Sequence, residues 1–287
     1  MSSTSPTLAS QTRKVVRVAR GVPASDGAGV KLTRVIGTRE LQNLDPFLML
    51  DFFASEEAGD YIAGFPDHPH RGFETVTYML SGRMQHKDNK GNQGDLGPGS
   101  VQWMTAGRGI VHSEMPLQES GRMAGFQLWV NLPAKDKMCA PRYQDIPAGD
   151  VPEVKSDAGA AVKVLAGSYG GVEGPVKAVA TDPTYLDVTL APQGAFALSL
   201  ESEYTSFAYV FEGEVKFGED GTAVKAGQLA VFSKGAGLKA AGGEAGGRFI
   251  LLAGKPLKEP IAQYGPFVMN SMDEIRQAVE DFQSGKF

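Results

Sequence analysis

Asp67-His68-Pro69-His70-Arg71-Gly72-Phe73-Glu74 is the stretch on which the reading of this chain turns. It sets two of the chain's four histidines two residues apart and leads into Thr75-Val76-Thr77-Tyr78-Met79-Leu80, a run of strand composition. On an extended chain residues i and i+2 point to the same side, so His68 and His70 present two imidazoles to one point. Further along, His112-Ser113-Glu114 repeats the arrangement with an imidazole and a carboxylate. Two such pairs on neighbouring strands of a small barrel converge inside it, and that donor set suits Fe, Mn, Zn, Ni or Cu better than Mg or Ca. Glu74 has the parity of His68 and His70, which leaves it three roles: a further ligand, a group behind the ligands, or a general base. The fourth histidine lies in Met84-Gln85-His86-Lys87-Asp88, a polar hairpin arm, and reads as solvent-facing.

The pattern around these motifs is β throughout. Short segments such as Val15 to Val18, Val101 to Met104, Phe126 to Val130, Val162 to Leu165, Ala208 to Phe211 and Phe249 to Leu252 are β-branched or aromatic. Gly, Pro, Asn and Asp fill the spaces between them. Such a series predicts sandwiches or barrels. One helix is expected at the end, where Ser271 and Glu274 form a capping box and Ile275, Val279 and Phe282 follow at helical spacing. Its apolar stripe should dock on a barrel.

The strand pattern occurs twice. Tyr78-Met79-Leu80-Ser81-Gly82 matches Tyr209-Val210-Phe211-Glu212-Gly213, Pro98-Gly99 matches Ala226-Gly227, and Thr105 to Gly109 matches Ser233 to Gly237. Order and spacing agree, which points to a duplicated unit. The expected organisation is a flexible tail over 1–13, a metal-binding barrel over 14–148, a metal-free barrel over 149–270 and the helix over 271–287. The stretch from Gly149 to Gly159 has linker character. The second copy holds no histidine. The positions matching His68 and His70 are expected near Ser199 and Glu201, and those matching His112 and Glu114 near Ala240 and Gly242.

The net charge of −5 argues against the basic surface that direct nucleic-acid binding requires. A single cysteine, Cys139, cannot form an internal disulfide and predicts a reducing, cytoplasmic setting. No apolar run approaches the length of a membrane span, and the Ser/Thr-rich stretch from Met1 to Thr12 reads as a floppy tail rather than a secretory signal.

A duplicated barrel with a His-x-His strand is the cupin pattern. The run from Phe65 to Tyr78 resembles the pirin family specifically. So do Gln102 to Pro116, Gln127-Leu128-Trp129-Val130-Asn131-Leu132, Asp45 to Asp51 and Tyr264 to Asn270. The resemblance runs from about Arg17 to the final helix. It implies an all-β fold of two cupin (jelly-roll) barrels in tandem, with one Fe(II) in the first held by His68, His70, His112 and Glu114. Ordinary cupins take their carboxylate shortly after His-x-His, which here would be Glu74. Pirins take it two residues after the third histidine, which selects Glu114 and leaves Glu74 near the metal. The resemblance further implies a dioxygenase that opens the ring of quercetin-like flavonols with O2 and releases carbon monoxide. Glu114 or Glu74 would serve as base, and Phe65, Phe73, Trp103 and Met104 are the candidate pocket walls. Some members of the family instead act as iron-dependent regulators that bind transcription factors or metabolic enzymes, which is the competing expectation. A compact bicupin can satisfy itself as a monomer.

Overall fold

The computed structural model describes residues 12–287, so the expected tail lies almost wholly outside the described residues. Its end is not loose. Arg13 is fully buried, and its guanidinium donates to the carbonyls of Glu201 and Tyr204 and to Ser206 Oγ. A buried cation with several acceptors is a fixed point of the chain, which corrects the tail boundary placed at residue 13.

The first half of the chain supplies twelve strands: β1 (Val15–Arg20), β2 (Val22–Asp26), β3 (Val30–Ile36), β4 (Phe47–Ser55), β5 (Phe65–His70), β6 (Phe73–Ser81), β7 (Met84–Asp88), β8 (Gln93–Leu96), β9 (Val101–Thr105), β10 (Ile110–Pro116), β11 (Met123–Asn131) and β12 (Arg142–Ile146). The two compact units of the fold are not consecutive pieces of chain. One comprises Gly21–Pro152, Gly174–Asp182 and Pro256–Phe287. The other comprises the chain up to Arg20, Glu153–Glu173 and Pro183–Lys255. β1 therefore belongs with the later strands, paired to Gln228–Phe232 with Val15 opposite Phe232. The final segment in turn belongs with β2 to β12.

In the unit that carries the histidines, two antiparallel sheets meet inner face to inner face. One runs β5-β10-β7-β8, the other β12-β9-β6-β11-β4-β3-β2. Alternation along each strand sends every second side chain between them. Helix α1 (Met272–Gln283) closes one side of this unit. Ser271 caps it by accepting from the Glu274 backbone, as the capping box predicts, while the Glu274 carboxylate accepts from the backbone of Asn270, one residue before the cap. Ile275 and Ala278 are buried with Phe267, Met269 and the terminal Phe287, while Phe282 stays 39% exposed. The helix also grips the corner after the histidines, because Arg71 pairs with Asp281 at 2.9 Å, and beyond the helix the Phe287 ring lies under the same guanidinium.

The other unit shows what the duplication preserved. Tyr78 stands opposite Val101, and Tyr209 stands opposite Leu229. Gly99 donates its backbone hydrogen to the Met79 carbonyl at 2.7 Å, and Gly227 donates to Val210 at 2.8 Å. Both glycines take φ near +85°. The ligand positions diverge, however. Strand Ala195–Ser199 pairs with Gly237–Gly254 so that Phe196 faces Ala240 and Leu198 faces Leu238. In the first unit His68 faces His112 and His70 faces Ile110. The counterparts of His68 and His70 are therefore Phe196 and Leu198, not residues near Ser199 and Glu201. The chain runs three residues longer between Leu198 and Tyr209 than between His70 and Tyr78, so the offset that matches the tyrosines does not carry back to the ligand positions. Phe196 and Ala240 pack in the apolar interior with Phe217, Phe249 and Leu251, and Leu198 packs against it. Burying each large apolar side chain contributes roughly 1.5–3 kcal/mol, so this barrel is filled by hydrocarbon where the other gathers imidazoles.

Candidate metal centre

β5 and β10 run antiparallel, and their inner faces carry the two same-face pairs. The rings of His68 and His112 lie 4.4 Å apart, those of His68 and His70 4.7 Å, and those of His70 and His112 5.0 Å. One ligand nitrogen from each ring falls within 4.8 Å of the other two, in a cluster that no other His, Cys, Asp or Glu joins among the described residues. His70 and His112 are 2% and 1% exposed, whereas His68 is only half-buried at the mouth. Burial, followed by the charge of neighbouring histidines, holds His70 and His112 well below the usual histidine range, so both are neutral and keep a lone pair for a metal.

The hydrogen bonds of the three rings fit that use. His68 Nδ1 sits 2.8 Å from the Pro66 carbonyl and must donate to it, which leaves Nε2 bare. His112 Nε2 and His70 Nδ1 are buried without any partner. Three imidazoles, two of them with a buried, unpaired nitrogen, are a donor set for a transition metal. Glu114 stands on the same face of β10 but outside the histidine cluster. Its Oε1 accepts from Thr77 Oγ1 at 2.8 Å, and Gln127 Nε2 reaches its other oxygen at 3.4 Å. Burial raises its pKa, against the opposing pull of His68 and Thr77. His68, His70 and Glu114 open on a cavity of about 920 Å³, near the upper end of the range for small-molecule sites.

Residues 29–130 match the Pirin family model, and residues 185–287 match the Pirin C-terminal cupin domain. The chain belongs to the pirin family. It is 49% identical over 276 residues to a pirin-like protein of Caulobacter vibrioides, covering 96% of this chain and 99% of that one. It is 42% identical over 266 residues to human Pirin, covering 91% and 89%. Among solved structures it resembles quercetin 2,3-dioxygenase from Acinetobacter baumannii, with 34% identity, a TM-score of 0.88, and coverage of 96% and 98%.

Within this pirin three expectations from the sequence are corrected, those for Glu74, for the pocket and for His86. Glu74 does not share the face of His68 and His70. The chain turns at Gly72, with φ at +88°, and leaves one sheet for the other, so counting by twos fails across the corner. Thr77 on β6 faces Glu114, and Glu74 by alternation faces the other way, where its Oε1 accepts from Thr105 at 2.6 Å. Burial raises the Glu74 pKa to about 7, with Thr105 and Trp103 opposing. The folded value lies above the usual carboxylate range. Stability linked to Glu74 is therefore complete below about pH 4.5 and is lost as pH rises through about 7. Glu74→Gln should leave metal stoichiometry unchanged and flatten the fall in stability between about pH 5 and about pH 7.5, read by denaturant unfolding at the two pH values. Loss of metal in this variant would return Glu74 to the centre.

The second correction concerns the pocket. Phe65 lines it. Phe73, Trp103 and Met104 do not. Phe73 is fully buried beneath the centre, 5.0 Å from the His70 ring. Met104 packs with Ala106 and Ile110, and Trp103, its neighbour in sequence, points to the opposite face of β9. The walls come instead from Met49 on β4, Trp129 on β11 and Ile261 in the final segment. Trp129 stacks at 4.3 Å on Phe73 and 5.3 Å from His70. Its signal was present in Gln127-Leu128-Trp129, where Gln127 and Trp129 share a face of β11. His86, expected in solvent, is 1% exposed and stands behind His112. β7 is hydrogen-bonded on both sides, and its alternation turns Met84 and His86 inward.

Proposed function

We propose that this pirin is a metal-dependent dioxygenase that opens the central ring of quercetin-like flavonols with O2 and releases carbon monoxide. The observation that carries the reading is the cluster of His68, His70 and His112, of which His68 and His70 open with Glu114 on a cavity wide enough for a flat aromatic molecule. The 34% identity and matching fold of the Acinetobacter baumannii quercetin 2,3-dioxygenase support it.

His68, His70 and His112 would hold the metal, with Glu114 as the carboxylate partner and Fe(II) as the expected ion. When bound, the metal supplies Lewis acidity, lowering the pKa of a substrate hydroxyl. Glu114 takes the proton from the flavonol 3-hydroxyl, a task that its raised pKa and its anchor on Thr77 suit. Phe65 and Trp129 present flat apolar surfaces to the ring system, and Met49 and Ile261 exclude water beside it. Arg34 is spoken for by Asp51, on which it closes a bidentate pair at 2.9 and 2.8 Å, so it stiffens the cavity wall rather than offering a free charge.

The test is anaerobic loading with Fe(II), then quercetin and air. The flavonol absorbance should bleach with matched O2 uptake and carbon monoxide release. Absence of turnover with Fe, Mn, Ni, Co and Cu alike would remove the reading.

A further inference from the structure

We propose that His86 is the orienting partner of His112, a neutral imidazole that takes the Nδ1 hydrogen of His112 and so keeps His112 Nε2 open to the metal. The inference rests on the metal centre described above and adds a group behind it. The two Nδ1 atoms lie 3.4 Å apart, within reach of one hydrogen bond, and both rings are 1% exposed. Both rings are shielded from bulk solvent, so the two nitrogens satisfy each other by sharing a single hydrogen. Only one ring can donate it.

The two choices have opposite consequences. If His86 donates, the hydrogen of neutral His112 moves to Nε2, and that nitrogen is closed to a metal. If His112 donates, Nε2 is a bare lone pair. Nε2 is the nitrogen of His112 that is buried without a partner, while Nδ1 faces His86. The geometry therefore divides His112 into a bonded side and a metal side. Ligating histidines ordinarily donate their second nitrogen to a carboxylate, a carbonyl or water. Here an imidazole fills that place.

The position of His86 is fixed from three sides. β7 pairs with β10 so that His86 stands opposite Glu114, and with β8 so that it stands opposite Gly94. The Tyr143 ring packs on it at 4.5 Å. With Nδ1 accepting, His86 carries its hydrogen on Nε2, which is buried with no acceptor of its own, so the bond to His112 is the one hydrogen bond that holds the ring. His86 lies outside the cluster of ligand nitrogens and acts only through His112.

Two variants of the full chain separate orientation from packing, with Ni(II) as the probe and affinity read by competition against a chelator. His86→Phe keeps a ring against Tyr143 but offers no acceptor, and Ni(II) affinity should fall roughly 10–100-fold. His86→Gln loses the ring but presents a side-chain oxygen, and affinity should stay within a few-fold of the parent. A packing role gives the reverse order. Nitrogen-15 NMR of the Zn(II)-loaded parent reads the same relay without a variant and should show His86 with Nδ1 unprotonated and Nε2 protonated. A His86→Phe chain that binds Ni(II) like the parent, or a protonated His86 Nδ1, would overturn the relay alone. A parent that binds no Ni(II) would overturn the centre and the relay with it.

Discussion

His70→Ala is expected to abolish metal retention. The chain purified from metal-supplemented medium should carry about one ion before the change and a negligible fraction after it, a loss well beyond the roughly 10–100-fold that removing an outer-shell partner costs. The reason is position as well as ligand count. His70 is the deepest residue of its strand, 2% exposed and wedged against Phe73 and Trp129. Without it the remaining imidazoles come from one residue at the mouth, His68, and one on the neighbouring strand, His112. The vacated volume is lined by aromatic rings, which give water or a buffer anion little to bind in its place. Metal analysis after dialysis reads the outcome, and matching far-UV circular dichroism of the two metal-free chains shows that the loss is local. Stoichiometric metal in the variant would contradict the ligand set.

The parts of this site that could be read in the sequence share one property: they lie within a single strand. His68 with His70, and His112 with Glu114, are two residues apart on uninterrupted extended chain, and alternation places each pair correctly. The same rule applied across Gly72 put Glu74 on the wrong face, because the rule assumes one strand and the chain changes sheets there. His86 was legible and was missed. Met84-Gln85-His86-Lys87-Asp88 alternates apolar or aromatic with polar, and only the charge of the segment suggested solvent. The cavity walls were not legible in the same way. Met49, Trp129 and Ile261 come from three distant segments, and no local pattern announces that the last of them returns to the first barrel.

The fold shows the same division. Repeated glycines at Gly82 and Gly213, and at Gly99 and Gly227, take positive φ values that only a residue without Cβ adopts cheaply. Those glycines made the duplication visible. The partner of β1 was not visible, since an isolated edge strand such as Val15–Arg20 has the same composition whichever sheet it joins. Sequence periodicity specifies which face of a strand is inside, and long-range pairing decides inside what.

The largest loss of stability is expected from Gly72→Ala. A left-handed φ of +88° costs an L-residue roughly 1–2 kcal/mol, but the corner asks more than that. A Cβ at residue 72 would overlap the Val268 carbonyl oxygen and press on Met269 Sδ. That carbonyl cannot retreat freely. The Val268 backbone donates to the Arg71 carbonyl at 3.0 Å, and Lys137 Nζ donates at once to the carbonyls of Gly72 and Val268 and to Asn131 Oδ1. Lys137 is 1% exposed, and burial lowers its pKa to about 8. Pushing the two backbones apart therefore strains a buried ammonium whose three hydrogens are all used, so the total should reach roughly 3–5 kcal/mol. Gly91 supplies the control. It has φ at +90° and open space around its absent Cβ, so Gly91→Ala isolates the backbone term at roughly 1–2 kcal/mol. Denaturant unfolding of the two metal-free variants should separate them by at least about 2 kcal/mol. Ni(II) affinity should fall in Gly72→Ala alone, because the corner that must move is the one that aims His70. Equal destabilisation of the two variants would mean that residue 72 is only a turn, and that the direction of His70 is set elsewhere.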